Sequence, residues 1–306
     1  MNDTVPHESL LAEARRLLEQ SNLKARKSLA QHFLISRNVL QKIVSAASLS
    51  GDDIVIEVGP GLGVLTRELV QVAGWVIAVE LDNRIAELLK NKFVPAENLT
   101  VINQDILQIE PGELFRRTKS QLPSALKLKT VYKVVANLPY YITSAVIRRF
   151  LEASVKPSVM IIMVQKEIAR EIVAGPGEMS LLSVSVQFYG KPKIVSYVPA
   201  ACFYPPPKVD SAILRIDIFD TLPMPLEDIE GFFRLVRAGF SANRKQIINS
   251  LSGGLKIPKH LILPFLSDAG IEATRRAETL SIKEWQKLFY TCKEQLHVEN
   301  SGTGED

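Results

Sequence analysis

The chain has only two cysteines, Cys202 and Cys292, among 306 residues. They form no CxxC pair, and no histidine stands near either with ligand spacing. Neither a disulfide framework nor a zinc centre is therefore expected; both read as reduced thiols, and no metal site is anticipated. No apolar run approaches the roughly 20 residues a helix needs to span a bilayer. The first residues are acidic and amphipathic instead of basic then apolar, so no secretory leader is expected. Internal repeats and low-complexity tracts are also missing. Charge of one sign is barely in excess: 37 Lys and Arg face 33 Asp and Glu, a net +4. That balance is compatible with an RNA partner without demanding one. These absences lead to the expectation of a cytoplasmic protein that does not associate with membranes; a monomer is expected.

What is present is ample apolar content, 46% of residues, enough for one large domain or two. Residues 8–20 have helical spacing, with Leu10, Leu11, Ala14, Leu17 and Leu18 on one face, a packing stripe. A basic loop follows at 24–34. Apolar strand candidates at 53–58, 75–80, 99–103, 131–136 and 158–164 then alternate with helical stretches at 64–72, 83–92 and 144–152. Such alternation predicts an α/β fold with a doubly wound, mostly parallel sheet. Two later candidates, 194–198 and 211–218, are suited to close the sheet as an antiparallel edge hairpin. Beyond Asp220 the texture changes. Leu222-Pro223-Met224-Pro225 reads as a linker, and the chain to Leu296 is helical in pattern with no convincing strand. The expected organisation is an N-terminal helical extension (1–23), a sheet domain (24–220), a smaller all-helical domain (221–296) and a disordered tail (297–306).

Chemistry gathers at the strand ends. Glu57-Val58-Gly59-Pro60-Gly61-Leu62-Gly63 lies between the first buried strand and a helix, where glycines let backbone N–H groups approach a ligand. A tight strand-to-helix turn would read the same way. Glu80 ends the second strand about 20 residues on, the place for an acid that binds ribose hydroxyls. Asp105 follows the third strand, within reach of an adenine amine. Asn137-Leu138-Pro139-Tyr140 closes the fourth. Its Asn amide oxygen and a Pro carbonyl can both accept hydrogen bonds from one exocyclic amine, and Tyr140 offers a face for a planar base. The same four residues could merely end a strand. Dinucleotide-dependent hydride chemistry uses the same sheet edge, but the GxGxG loop and the Asn-Leu-Pro-Tyr run suit S-adenosylmethionine better.

Four motifs occur in order: Lys27-Ser28-Leu29-Ala30-Gln31-His32-Phe33-Leu34, then 57–63, then 137–140, then Phe203-Tyr204-Pro205-Pro206-Pro207-Lys208-Val209-Asp210-Ser211. In this set the chain resembles the KsgA (RsmA) family of small-subunit ribosomal RNA adenine dimethyltransferases. The resemblance implies a Rossmann-like, seven-stranded class I methyltransferase sheet over 24–220 and an RNA-binding helical domain over 221–296. It implies S-adenosylmethionine as cofactor, held by His32, Leu34, Glu57, Gly59, Gly61, Gly63, Glu80, Asp105 and Asn137. It places Asn137 and Pro139 on the target amine, with Tyr140 and Phe203 sandwiching the flipped adenine. The implied partner is 16S rRNA in the small ribosomal subunit or its precursor, and the implied reaction dimethylates two adjacent adenines near its 3′ end. Lys27, Arg148, Arg237, Arg244 and Lys245 are the expected RNA contacts. Many relatives carry Asn where this chain has His32, and the loop at Glu178-Met179-Ser180-Leu181 is shorter and less basic than in many relatives. The related Erm group, acting on large-subunit RNA, and a non-catalytic ribosome assembly factor are the alternatives.

Overall fold

The computed structural model describes residues 8–21, 31–127 and 131–298. Lys27 and most of the tail expected to be disordered lie outside them. The described residues form two compact units, one running to Ala169 and including Lys191–Ile218, the other comprising Arg170–Gly190 and the chain from Phe219 onward.

In the first unit the strands are β1 (Phe33–Leu34), β2 (Ile54–Val58), β3 (Trp75–Glu80), β4 (Leu99–Asn103), β5 (Lys133–Asn137), β6 (Val159–Gln165), β7 (Gly190–Val198), β8 (Phe203–Tyr204) and β9 (Ser211–Ile218). Seven of them form one sheet in the order β4-β3-β2-β5-β6-β9-β7. β2 to β6 pair in parallel, and β9 runs antiparallel to β6, with Met163 opposite Ile213. The fold is therefore α/β with a mostly parallel, Rossmann-like sheet. β9 sits inside and β7 at the edge because their patterns differ. β9 is mostly buried, whereas β7 alternates and exposes Lys191 and Lys193, charges that blunt a sheet edge.

Helices α1 (Leu10–Gln20), α2 (Arg37–Ala47), α3 (Val64–Val72), α4 (Asn83–Lys92), α5 (Pro111–Thr118) and α6 (Thr143–Leu151) complete this unit, with the start of α7 (Lys166–Val173). The period-2 rule divides each strand between two faces. Val55, Val76, Val135, Ile161 and Ile213 pack on one side with Leu10 and Ala14 of α1, Leu40 and Ile43 of α2, and Leu69 of α3. The intervening Ile56, Ile77, Val134, Ile162 and Leu214 are as completely buried, so both faces are covered.

One element in this core is charged. Glu13 lies three residues after Leu10 and four before Leu17, on the apolar stripe of α1, and is 8% exposed. Its carboxylate accepts from Arg67 Nη1 of α3 at 3.1 Å and from Lys92 Nζ of α4 at 3.1 Å. Burial alone would raise its pKa, but the hydrogen bonds and charges of Lys92 and Arg67 outweigh that and hold it below the usual carboxylate range. Lys92 also donates to the Leu62 carbonyl at 2.9 Å. The helix expected to serve packing alone thus reaches the loop that follows β2.

The second unit contains α8 (Leu181–Tyr189), α9 (Leu226–Gly239), α10 (Ile247–Leu255), α11 (Lys259–Ala269) and α12 (Ile282–Val298). The chain beyond Asp220 has no strand among its described residues, as its pattern predicts. The boundaries differ from expectation in two places. Residues 170–190 group with the C-terminal helices and not with the sheet domain. The reason is aromatic packing: Phe188 stacks on Phe232 at 4.9 Å between ring centroids, and Tyr189 on Phe233 at 6.0 Å. Helix α12 also continues to Val298, past the expected start of the tail.

Removing the buried member of an ion cluster leaves its half-buried partners unpaired, a loss that approaches the roughly 3–5 kcal/mol of a fully buried pair, whereas an exposed pair contributes about 1 kcal/mol or less. Glu13→Ala is therefore expected to destabilise the protein by about 3 kcal/mol in urea unfolding. Glu8→Ala, which breaks the exposed Glu8–Arg16 pair, should shift it by less than about 1 kcal/mol. Equal losses would contradict the cluster's buried role.

Candidate active site

β2 neighbours β3 on one side and β5 on the other, so the strand order reverses there. Crossovers leave in opposite directions at such a point and open a crevice beyond the carboxyl ends of the strands. A cleft is found there, bordered by the loop after β2, the ends of β3 and β5, the turn after β4, and the segment entering β1.

The loop after β2 is shaped by glycine. Gly59, Gly61 and Gly63 adopt φ of +67°, +56° and +76°, the left-handed region that side chains disfavour. At Gly63 a Cβ would also meet Leu89 and Phe93 at 2.7 Å, and at Gly61 the Phe33 ring at 3.2 Å. Glu80 ties this loop to β3. Its Oε2 accepts from the Gly61 N–H at 3.3 Å and its Oε1 from the Asp82 N–H at 2.9 Å. Burial raises the pKa of this carboxyl. Lys92 braces the loop's other side through the Leu62 carbonyl.

Glu57 is 1% exposed and lines the same cleft. Its Oε2 has no hydrogen-bond partner among the described residues, and burial, with the Glu80 charge nearby, pushes its pKa up to about 8. A buried carboxyl oxygen without a partner, on the wall of a cleft, is a polar group that a polar ligand would satisfy. Asp105 spends Oδ1 on the Leu107 N–H at 2.9 Å, capping its own turn.

Asn137 is the last residue of β5, on the same sheet face as Glu57 and Val135. Its Nδ2 donates to the His32 carbonyl at 3.2 Å. With the donor end fixed, Oδ1 is the end left to accept. The Pro139 carbonyl already accepts from the Ile142 N–H at 3.2 Å and loosely from the Thr143 hydroxyl at 3.5 Å, so only part of its capacity remains. Tyr140 begins the turn after β5. Its hydroxyl shares a 2.7 Å hydrogen bond with Ser211 Oγ, and burial raises its pKa.

Of the residues expected from the sequence, the cleft brings together His32, Leu34, Glu57, Gly59, Gly61, Glu80, Asp105, Asn137, Pro139 and Tyr140. Gly63 shapes its loop. One placement differs. Phe203 is 2% exposed and packed in the hydrophobic cluster with Leu34, its partner across the β1–β8 ribbon, and it is not among the described residues lining the cleft. An aromatic before a proline run here fills the core instead of walling the site. His32 lines the cleft, with one of its two ring nitrogens committed. Nδ1 lies 2.7 Å from the Pro205 carbonyl, which can only accept, so Nδ1 carries a proton; the ring stacks on Tyr140 at 5.9 Å.

The expected RNA contacts divide. Arg148 is paired with Glu152 one turn along α6 at 2.8 Å, while Arg237, Arg244 and Lys245 are exposed in the second unit. Sequence reading missed Lys92, Ser211 and Glu13. Only Glu13 carried a local signal, an acid on an apolar helix stripe; the other two act through partners far away in the chain.

The raised Glu57 pKa has a sign. Between pH 4.5 and about 8 the unfolded chain releases this proton while the folded protein keeps it, so stability falls as pH rises through that window. Glu57→Gln should remove the effect. Its unfolding free energy in urea relative to the parent should rise steadily from pH 5 to pH 8, by at most about 1.4 kcal/mol per pH unit. Parallel curves would contradict the assignment.

A model of the family described as ribosomal RNA adenine dimethylase matches residues 22–294. The ribosomal RNA small subunit methyltransferase A of Dehalococcoides mccartyi is 53% identical over 280 residues, covering 92% of each chain. That of Clostridioides difficile is 38% identical over 276 residues, covering 90% of this chain and 93% of its own. Among solved structures, a dimethyladenosine transferase from Plasmodium falciparum superposes with a TM-score of 0.70 at 26% identity, over 86% of this chain and 98% of that one. The 23S rRNA methyltransferase ErmE gives 0.66 at 30% identity, over 85% and 99%. The sheet order is thus that of class I methyltransferases. Matched along nearly its whole described length, the chain belongs to the ribosomal RNA adenine dimethylase family.

Proposed function

We propose that the protein transfers methyl groups from S-adenosylmethionine to the N6 amines of two adjacent adenines in the 3′-terminal hairpin of 16S rRNA, dimethylating each. It would act as a cytoplasmic monomer on the small subunit or its precursor. Among the described residues no helix is long and apolar enough to cross a membrane. The observation that carries the reading is the Asn137 amide, whose donor end is held by the His32 carbonyl so that Oδ1 serves as an acceptor in the cleft.

The residues present suit the cofactor. Glu80 would hold ribose hydroxyls, Asp105 the adenine amine through the oxygen its turn leaves free, and the glycine loop with Glu57 the polar remainder. Bound there, the cofactor supplies an electrophilic methyl group. The protein's own work concerns the acceptor nitrogen. Adenine N6 is a weak nucleophile because its lone pair is delocalised into the ring. Asn137 Oδ1 and the remaining capacity of the Pro139 carbonyl would accept its two N–H bonds, favouring a pyramidal nitrogen whose lone pair is aimed at the methyl. Tyr140 would fix the ring plane. Positioning of this kind supplies much of the rate. The methylated nitrogen is acidic and releases its proton to water, so no strong base is needed. After the first transfer a single N–H remains for the acceptors to hold, which leaves room for the second. Arg237, Arg244 and Lys245 are suited to contact phosphates.

Incubation with methyl-labelled S-adenosylmethionine and undermethylated small or large subunits, followed by nucleoside mapping, tests this. Label is expected as N6,N6-dimethyladenosine at two adjacent positions of small-subunit RNA. Label confined to large-subunit RNA, or cofactor binding with no transfer to either, would overturn the proposal.

A further inference from the structure

The segment from Phe203 to Ser211 was expected to contribute the Phe203 ring to the target base. Phe203 is buried, yet two other atoms of the same segment reach the cleft's aromatic residues. The Pro205 carbonyl accepts from His32 Nδ1 at 2.7 Å, and Ser211 Oγ pairs with the Tyr140 hydroxyl at 2.7 Å. His32 and Tyr140 themselves stack, with ring planes 25° apart. Each ring is therefore pinned at its polar end by one segment that lies about 70 or more residues later in the chain.

We infer that this segment is a clip that sets the plane of Tyr140, and that Ser211 is a positioning residue for methyl transfer. Several facts support this. Ser211 is fully buried, and it is the first residue of β9, in register with Gln165 at the end of β6. Its backbone is thus fixed by the sheet, and its hydroxyl is a rigid anchor. Tyr140 opens a single three-residue turn after β5, and its ring is held by the His32 stack on one face and the Ser211 hydroxyl at its end. A phenol anchored at its hydroxyl and stacked on one face has a defined plane. A phenyl ring there keeps the stack but loses the tether. In-line transfer is sensitive to such losses, since a misplacement of about 1 Å can cost as much as 10²-fold.

The inference rests on the reading of Tyr140 as the platform for the target base, and the test separates the two. Tyr140→Phe and Ser211→Ala remove the same hydrogen bond from opposite ends. Single-turnover methyl transfer to undermethylated small subunits would be measured for both, for the double variant, and for Tyr140→Ala. Affinity for S-adenosylmethionine and melting temperature would be recorded alongside. The clip predicts a roughly tenfold slower transfer in each single variant, no further loss in the double variant, and unchanged cofactor affinity. Tyr140→Ala should be slower still. If Tyr140→Phe and Ser211→Ala transfer at the parent rate while Tyr140→Ala is inactive, the clip is wrong and the platform stands. Multiplicative losses in the double variant would also overturn the clip. A Tyr140→Ala variant with the parent rate would remove the platform and the clip together. Should Ser211→Ala fail to fold, Tyr140→Phe decides alone against Tyr140→Ala.

Discussion

The hydrogen bond from Asn137 Nδ2 to the His32 carbonyl joins two parts of the chain separated by 105 positions, and the chemistry of the cleft depends on it. An amide side chain has a donor end and an acceptor end of nearly the same shape. Only a fixed partner decides which end faces a ligand. Here the partner is a backbone carbonyl on the segment entering β1, and β1 is itself held by pairing with β8. The acceptor is thereby directed by the backbone, and on the proposed function it needs no reorganisation to receive a substrate amine.

The same device recurs around the cleft. The Leu62 carbonyl accepts from the Lys92 ammonium, the Pro205 carbonyl from the His32 imidazole, and the Gly61 N–H donates to the Glu80 carboxylate. Each joins a side chain on one element to the backbone of another. Lys92 in turn is bound to Glu13, so a helix at the beginning of the chain is mechanically continuous with the glycine loop. Stability and site geometry are therefore not separable here. The buried carboxylate of α1 and the half-buried cations of α3 and α4 together brace the glycine loop.

Much of this was legible in the sequence, for local reasons. Short apolar runs such as Ile54–Val58 and Trp75–Glu80 match their strands closely because a strand buried on both faces leaves an unmistakable pattern. The glycine loop, Glu80, Asp105 and Asn137 were legible because strand ends at a switch point converge whatever the details of packing. Phe203 and His32 were not. Composition records that an aromatic or an imidazole is present, but not which face of a two-residue strand it occupies or which distant carbonyl it meets. Helix α8 was placed with the sheet because its affinity for the C-terminal helices depends on Phe188 and Tyr189 finding Phe232 and Phe233 more than 40 residues later. Ser211 was visible as part of a motif, but its role emerges only when β9 is seen beside β6.

On the proposed function, Asn137 acts on the target amine and not on the binding of the RNA. Asn137→Ala tests it directly, with methyl transfer, small-subunit RNA affinity and S-adenosylmethionine affinity measured on the same preparation. The account predicts transfer slower by roughly 10²–10³-fold, the loss typical when a preorganised polar contact to a reacting group is removed, with RNA affinity unchanged. A parallel loss of transfer and RNA affinity, or transfer near the parent rate, would contradict it.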